Sequence, residues 1–345
     1  MKLLILFVAT SLFAGDIDKL IENEHWKRTR EAADAALRAN ANDARANYYV
    51  SVARKAFDDL EEARKFGEAS VRLDPKNGEY HRNLADIYGD LANRAGPLRM
   101  IGLARKCHAE VDAGAALDPK DPENLEALMI YSLEAPSIVG GDKKKAEQLA
   151  EQIGKIDLAR GYLAKARIAR KENQAGAEFG FYQKAVEANP GNYNARTLLA
   201  GSYLDRKEFE AAEKYASEAL KIAPDRVAAY KLLARALIYQ KRLEETAALL
   251  TRAEAAVPDD LTPYLSAARA MLAQGADLDK AETYIRRYFT QPPEGYEPPQ
   301  AGAHWSLGLV YEKQGRKADA RKELEAALHL KPDFEPAKRD LKRLR

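Results

Sequence analysis

Apolar and polar positions follow a helical period along this chain, and the pattern restarts at intervals. It is clearest from Ala301 to Pro332. There Leu307, Gly308 and Tyr311 share one face of a predicted helix, and Ala320, Leu324 and Ala327 form a stripe on a second. Gln314-Gly315-Arg316 supplies the turn, with Gly315 suited to a positive φ, and Pro332 ends the second helix. Small residues let two backbones approach, and large ones fill the space beside them. One such hairpin cannot bury its own apolar faces, so the pattern predicts a stack of hairpins.

The same phrase recurs upstream. Pro190, Pro224 and Pro258 stand 34 residues apart. Leu199, Ala200, Tyr203, Ala212, Ala216 and Ala219 fill one interval; Tyr230, Leu233, Ala234, Leu237, Leu250 and Ala253 fill the next. Asp43 and Asp121 read as N-caps, the second followed by Pro122. The interval from Pro75 to Pro119 is longer, at 44 residues. Shared between two helices, the ten extra residues extend each by about 7 Å, with the turn at Ala95-Gly96-Pro97. Ala135-Pro136 ends a later helix, Gly140-Gly141 predicts an irregular loop, and Asp142 caps the next helix. QPPEGYEPPQ (291–300) cannot be helical and reads as a spacer with an exposed Tyr296.

At these offsets the chain resembles the tetratricopeptide repeat (TPR) proteins. The resemblance implies an all-α fold, an α-solenoid of stacked antiparallel helix hairpins. About eight pairs are expected over residues 16–345, closed by a capping helix at 334–345. From Tyr80 to Pro190, with the phrase LEAPSIVGGDKKK, the chain is similar to exported bacterial TPR proteins and to TRAP-transporter-associated TPR proteins. It is more distantly similar to the regulator of microtubule dynamics family. These likenesses imply no catalytic residues and no cofactor.

Residues 1–15, MKLLILFVATSLFAG, pair Lys2 with a short apolar run. This is the pattern of a secretory signal peptide, and the run is too short for an ordinary membrane span. It predicts export, with the periplasm as the address. The 55 Lys and Arg against 53 Asp and Glu leave a net charge of +2, which argues against nucleic acid or an acidic membrane as a default partner. A single cysteine, Cys107, excludes an internal disulfide and a cysteine-built zinc site, and reads as a buried apolar residue.

Catalytic patterns do not emerge. His25, His81, His108, His304 and His329 show no HExxH spacing, and GGDKKK lacks the GxxxxGK[ST] of a phosphate loop. Enzymatic activity is not expected. In the TPR family the concave groove is lined by first-helix positions 2, 5, 9, 12 and 13. Counted from the third residue after the phrase-ending proline, and from Ala159 in the unit whose entrance has Asp157-Leu158 in place of the usual phrase, Arg167, Arg235 and Arg269 fall at position 9, with Gly201 between the first two. Lys231 and Trp305 fall at position 5, Arg170 at 12 and Tyr239 at 13. Arginine forks match carboxylates, so this row predicts an acidic or carboxylate-bearing protein or peptide segment as the ligand. The asparagines of the known carboxylate-clamp TPRs are absent, Gly201 standing at one such place. The leading expectation is therefore a non-enzymatic envelope scaffold. The alternative is a small-molecule or lipid carrier acting with a transporter, with a closed apolar pocket near the Tyr80–Val111 hairpin and the Pro136–Gly141 loop.

Overall fold

The computed structural model describes residues 16–296 and 299–344. Residues 1–15, with the expected signal peptide, lie outside the described residues. The described chain is all-helical: nineteen α-helices and one short 3-10 helix, with no strand among the described residues. Within each compact unit the helices pair as antiparallel hairpins stacked in chain order, the all-helical hairpin architecture that the periodicity predicts.

The hairpins fall in two compact units. The first holds residues 16–22 and 26–195, the second 23–25 and 196–344. The first unit contains α1 (16–22), α2 (Trp26–Ala39), α3 (Ala44–Ala56), α4 (Leu60–Leu73), α5 (Gly78–Arg94) and α6 (Pro97–Leu117). It continues through α7 (Pro122–Glu134), the 3-10 turn Ser137–Val139, α8 (Lys143–Ile156), α9 (Leu158–Lys171) and α10 (Ala175–Ala188). The unit boundary crosses the first turn of α11 (Tyr193–Asp205). The second unit continues with α12 (Phe209–Ile222), α13 (Val227–Tyr239), α14 (Leu243–Ala256), α15 (Thr262–Gln274) and α16 (Leu278–Tyr288). After the Pro-rich segment come α17 (Gln300–Lys313), α18 (Lys317–Leu330) and the terminal α19 (Glu335–Arg343).

Local chemistry explains the helix limits. Asp43, Asn77, Asp121, Asp142 and Asp157 each accept a bond from a backbone N–H in the first turn of the following helix. Each such cap is worth about 1 kcal/mol. Asp58, Asn173, Lys207, Lys241, Gly275 and Gly315, in turns between paired helices, take the left-handed region, and the α15–α16 turn also holds Asp277 there. Those at 173, 207, 241 and 275 recur every 34 residues, so the repeat is written in backbone conformation as well as in side chains. Gly315 takes φ +80°, as its place in the turn predicts.

Small residues carry the helix contacts. Ala212, Ala216, Ala219, Ala234, Ala320 and Ala327 are fully buried. A Cβ on Gly308 would sit 3.1 Å from the Leu324 side chain, so glycine there is what lets Leu324 reach its buried position. Cys107 is buried between α5 and α6, and burial pushes its thiol up to about 12.

Three expectations meet a different detail. The long hairpin turns at Ala95-Gly96-Pro97, but the extra length is shared unequally: α5 has 17 residues and α6 has 21, against 14 in α4. The described part of the Pro-rich segment is packed rather than a free spacer. Gln291 Nε2 donates to the Pro258 carbonyl at 3.0 Å, Phe289 stacks on His304 at 4.5 Å, Glu294 is buried and Tyr296 is half-buried. The terminal helix is anchored as well as solvated: Ala337 and Asp340 are buried, and Trp305 Nε1 donates to Asp340 Oδ2 at 2.8 Å. Among the described residues no helix is long and apolar enough to cross a membrane.

Candidate functional site

The first helices of successive hairpins present charged side chains, and the two units treat them differently. In the first unit cations and anions alternate from helix to helix. Arg45 on α3 is held by Asp18 of α1 at 2.8 Å and by Glu79 of α5 at 3.4 Å. Arg82 on α5 reaches Glu123 at 2.7 Å and the buried Asn124 at 2.9 Å, both on α7. Arg160 on α9 reaches the same Glu123 at 2.9 Å. Glu126, one turn further along α7, is pushed above the usual carboxylate range by burial, against the opposing charges of Arg160 and Arg167. This face neutralises itself.

Arg82, Glu123 and Arg160 are not among the residues that the repeat positions single out. A signal was present: Arg45 and Glu79 are opposite charges one repeat apart, each in the first turn of a first helix. Arg167 is exposed on α9 and acts on Glu126 only through its charge. Arg170 faces its own hairpin, where Nε donates to Glu178 of α10 at 2.7 Å and the guanidinium also meets the Tyr182 hydroxyl.

In the second unit the sequence-predicted residues lie on α13, α15 and α17, successive first helices in contact. Ser266 Oγ of α15 donates to the Lys231 carbonyl of α13 at 3.4 Å. Arg269 Nε of α15 donates to Ser306 Oγ of α17 at 3.1 Å, in the space left by Gly302, whose absent Cβ would be 2.9 Å from the guanidinium. Trp305 of α17 bonds Asp340 and packs edge-on against Phe334, so it ties α17 to α19. Tyr239 lies against Phe209 with ring centroids 4.9 Å apart.

Lys231 and Arg235 stand apart from these. They are four residues apart on α13, on one half-buried face, and neither head group has a hydrogen-bond or ion-pair partner among the described residues. Like charges at this spacing repel by a few tenths of a kcal/mol. Leu232, next to Lys231 on α13, is half-buried and lies 3.8 Å from where a Cβ of Gly201 on α11 would stand, and Leu198, about one turn before Gly201 on α11, is 37% exposed. An adjacent cation pair with an aliphatic shelf suits a ligand that offers carboxylate and apolar groups together.

Comparison with known proteins agrees with this architecture. Tetratricopeptide-repeat family models match residues 18–78, 171–237 and 301–334. No curated protein matches the chain. Among solved structures the chain is similar to yeast Tom70 at 13% identity, covering 97% of this chain and 88% of that one, with a TM-score of 0.50. It is also similar to TTC0263, a thermophilic TPR protein of Thermus thermophilus, at 18% identity, covering 54% and 98%, with a TM-score of 0.43. A third is YrrB, described as a TPR protein with an unusual peptide-binding site, at 21% identity, covering 57% and 98%, with a TM-score of 0.35.

Proposed function

We propose that this TPR-containing chain is a non-enzymatic scaffold that holds a carboxylate-bearing protein or peptide segment on the first-helix face of its second unit. The observation that carries the reading is the uncompensated Lys231–Arg235 pair. Arg45, Arg82, Arg160 and Arg170, on other first helices, all hold carboxylates of the chain itself. A partner carboxylate would relieve the repulsion on α13 and take a bidentate fork from Arg235, while its apolar neighbour covers Leu198 and Leu232. The cell envelope is part of the proposal and rests on the Lys2 and Leu3–Ala14 pattern.

The carrier reading is less well supported. Where a ligand pocket is expected, the Tyr131 hydroxyl lies within hydrogen-bond reach of the Ala104 and Val139 carbonyls, and His108 stacks on the Tyr131 ring at 4.7 Å. Side chains of the protein itself thus join the Pro136–Gly141 loop to α6. The test is fluorescence anisotropy with a labelled peptide of alternating Glu and Leu, comparing the native chain with Lys231→Glu plus Arg235→Glu. Binding at least ~10-fold weaker at unchanged helicity, and weakened by salt in the native chain, is expected. Equal binding by the two proteins would overturn the reading.

A further inference from the structure

We propose that the apex of the α5–α6 hairpin, with the 3-10 turn beside it, docks on an anionic lipid bilayer. Leu98 is 92% exposed and Ile138 is 77% exposed, whereas the other exposed large aliphatics among the described residues lie between 37% and 55%. Leu73, Leu117, Ile156, Ile222 and Leu330 of that second group sit in the last positions of second helices, where the repeat ordinarily places a half-covered residue. Leu98 and Ile138 instead occupy the two departures from the repeat, the lengthened hairpin and the irregular loop.

Both departures converge on α6. Tyr131 brings the Val139 carbonyl of the 3-10 turn to the level of Ala104, and Gly140, at φ +100°, lies against the His108 ring. Six residues separate Ala104 from Leu98, about 9 Å along the helix. The half-exposed Ile101 lies between them. Leu91, Leu103 and Cys107 are buried in the stem, so the apolar strip is carried on a packed support.

The near-balanced total charge of the chain is uneven locally, and the local charge selects the occupant. Residues 91–106 contain Arg94, Arg99, Arg105 and Lys106 and no acidic residue. Asp58 holds Arg94 and Glu61 holds Arg99. Lys106 lies over the Tyr88 ring. Arg105, two turns from Leu98 on the exposed side of α6, and Lys144, just after the loop, are exposed and have no carboxylate partner among the described residues. A protruding apex cannot wrap a peptide, as a groove can, but it can enter a flat, deformable surface. Acyl chains would receive Leu98, Ile101 and Ile138 while anionic headgroups meet the free cations.

The test uses the full chain and is independent of the peptide experiment. A Leu98→Cys variant carries an environment-sensitive dye, with Cys107 buried and protected from labelling. Lys322→Cys, exposed on α18, is the labelled control. Vesicles of phosphatidylcholine with phosphatidylglycerol should shift the dye at 98 to the blue and leave that at 322 unchanged. Pure phosphatidylcholine should give a much smaller shift. In sedimentation with the anionic vesicles, Ile138→Asp plus Leu98→Asp should lower the bound fraction ~10-fold, and Arg105→Glu plus Lys144→Glu should remove the preference for anionic lipid. Unaltered emission at 98 would overturn the proposal even if the chain sediments through residues 1–15. So would capture of an acidic protein through Leu98 with no vesicle response.

Discussion

Gly161 on α9 presses against Gly154 on α8: a Cβ on Gly161 would lie 2.3 Å from the Gly154 Cα, whereas a Cβ on Gly154 would lie 3.6 Å from the Gly161 Cα. The contact is tight in one direction only. Both helices belong to the first unit, where the short link at Asp157 brings them together.

Alanine at the two sites should therefore act in opposite ways. Gly161→Ala forces backbones apart in a packed contact, and a loss of about 1–3 kcal/mol is expected. Gly154→Ala meets ordinary van der Waals distance and gains helix propensity, for an increase of up to about 1 kcal/mol. Urea unfolding midpoints of the two variants check this, and equal shifts of the same sign would contradict the geometry.

His81 supplies a pH dependence. Its Nδ1 lies 2.6 Å from Glu110 and its Nε2 lies 3.0 Å from the Pro75 carbonyl. Two acceptors favour the doubly protonated ring. The Glu110 hydrogen bond raises the pKa, burial opposes it, and the Pro75 carbonyl and the charge of Asp74 add to the rise. The folded value lies above the unfolded one, so this stabilisation is complete below the unfolded value of about 6.5 and is lost as pH rises through the folded value. The gap in thermal midpoint between the native chain and His81→Gln should be widest near pH 5.5 and shrink by about pH 8.5. A gap that grows with pH would refute the assignment.

The turns give a third expectation. Lys207 and Lys241 take φ +62° and +63° where Gly275 and Gly315 serve other hairpins. A side chain in this region costs about 1–2 kcal/mol, and glycine's extra freedom in the unfolded chain offsets about half of that. Lys241→Gly should raise stability by about 0.5 kcal/mol and Gly315→Ala should lower it by about 1 kcal/mol. Calorimetry on the two variants measures both.

Legibility followed physical range. Gly315, Leu324 and the Ala212–Ala216–Ala219 stripe were readable because close helix packing admits few residue types at fixed offsets. The unequal split of the long hairpin was not, since nothing in residues 78–117 states which helix takes the surplus. The burial of Glu294 escaped detection because proline-rich composition excludes helix without saying whether the chain packs. On the candidate face, position in the repeat located Lys231, Arg235 and Arg269 together, but partner assignment needed coordinates. Arg269 shares position 9 with Arg235 and differs in what other segments bring near it, and Arg170, at position 12, meets its own hairpin.

That difference allows stability and binding to be separated by two substitutions. Arg170 spends its guanidinium on Glu178 and Tyr182 inside the α9–α10 hairpin, with a side chain 58% exposed. Its removal should lower stability by about 0.5–1 kcal/mol, in the range of exposed ion pairs, and leave peptide affinity unchanged. Arg235 holds no partner among the described residues and repels Lys231, so Arg235→Ala should be neutral or stabilising by a few tenths of a kcal/mol. The same substitution should weaken the Glu-Leu peptide, because the only bidentate donor of the pair is gone. Paired urea titrations and anisotropy measurements on Arg170→Ala and Arg235→Ala provide the check. If Arg235→Ala destabilises the chain as much as Arg170→Ala does and binds the peptide like the native protein, Arg235 belongs to the fold rather than to the ligand.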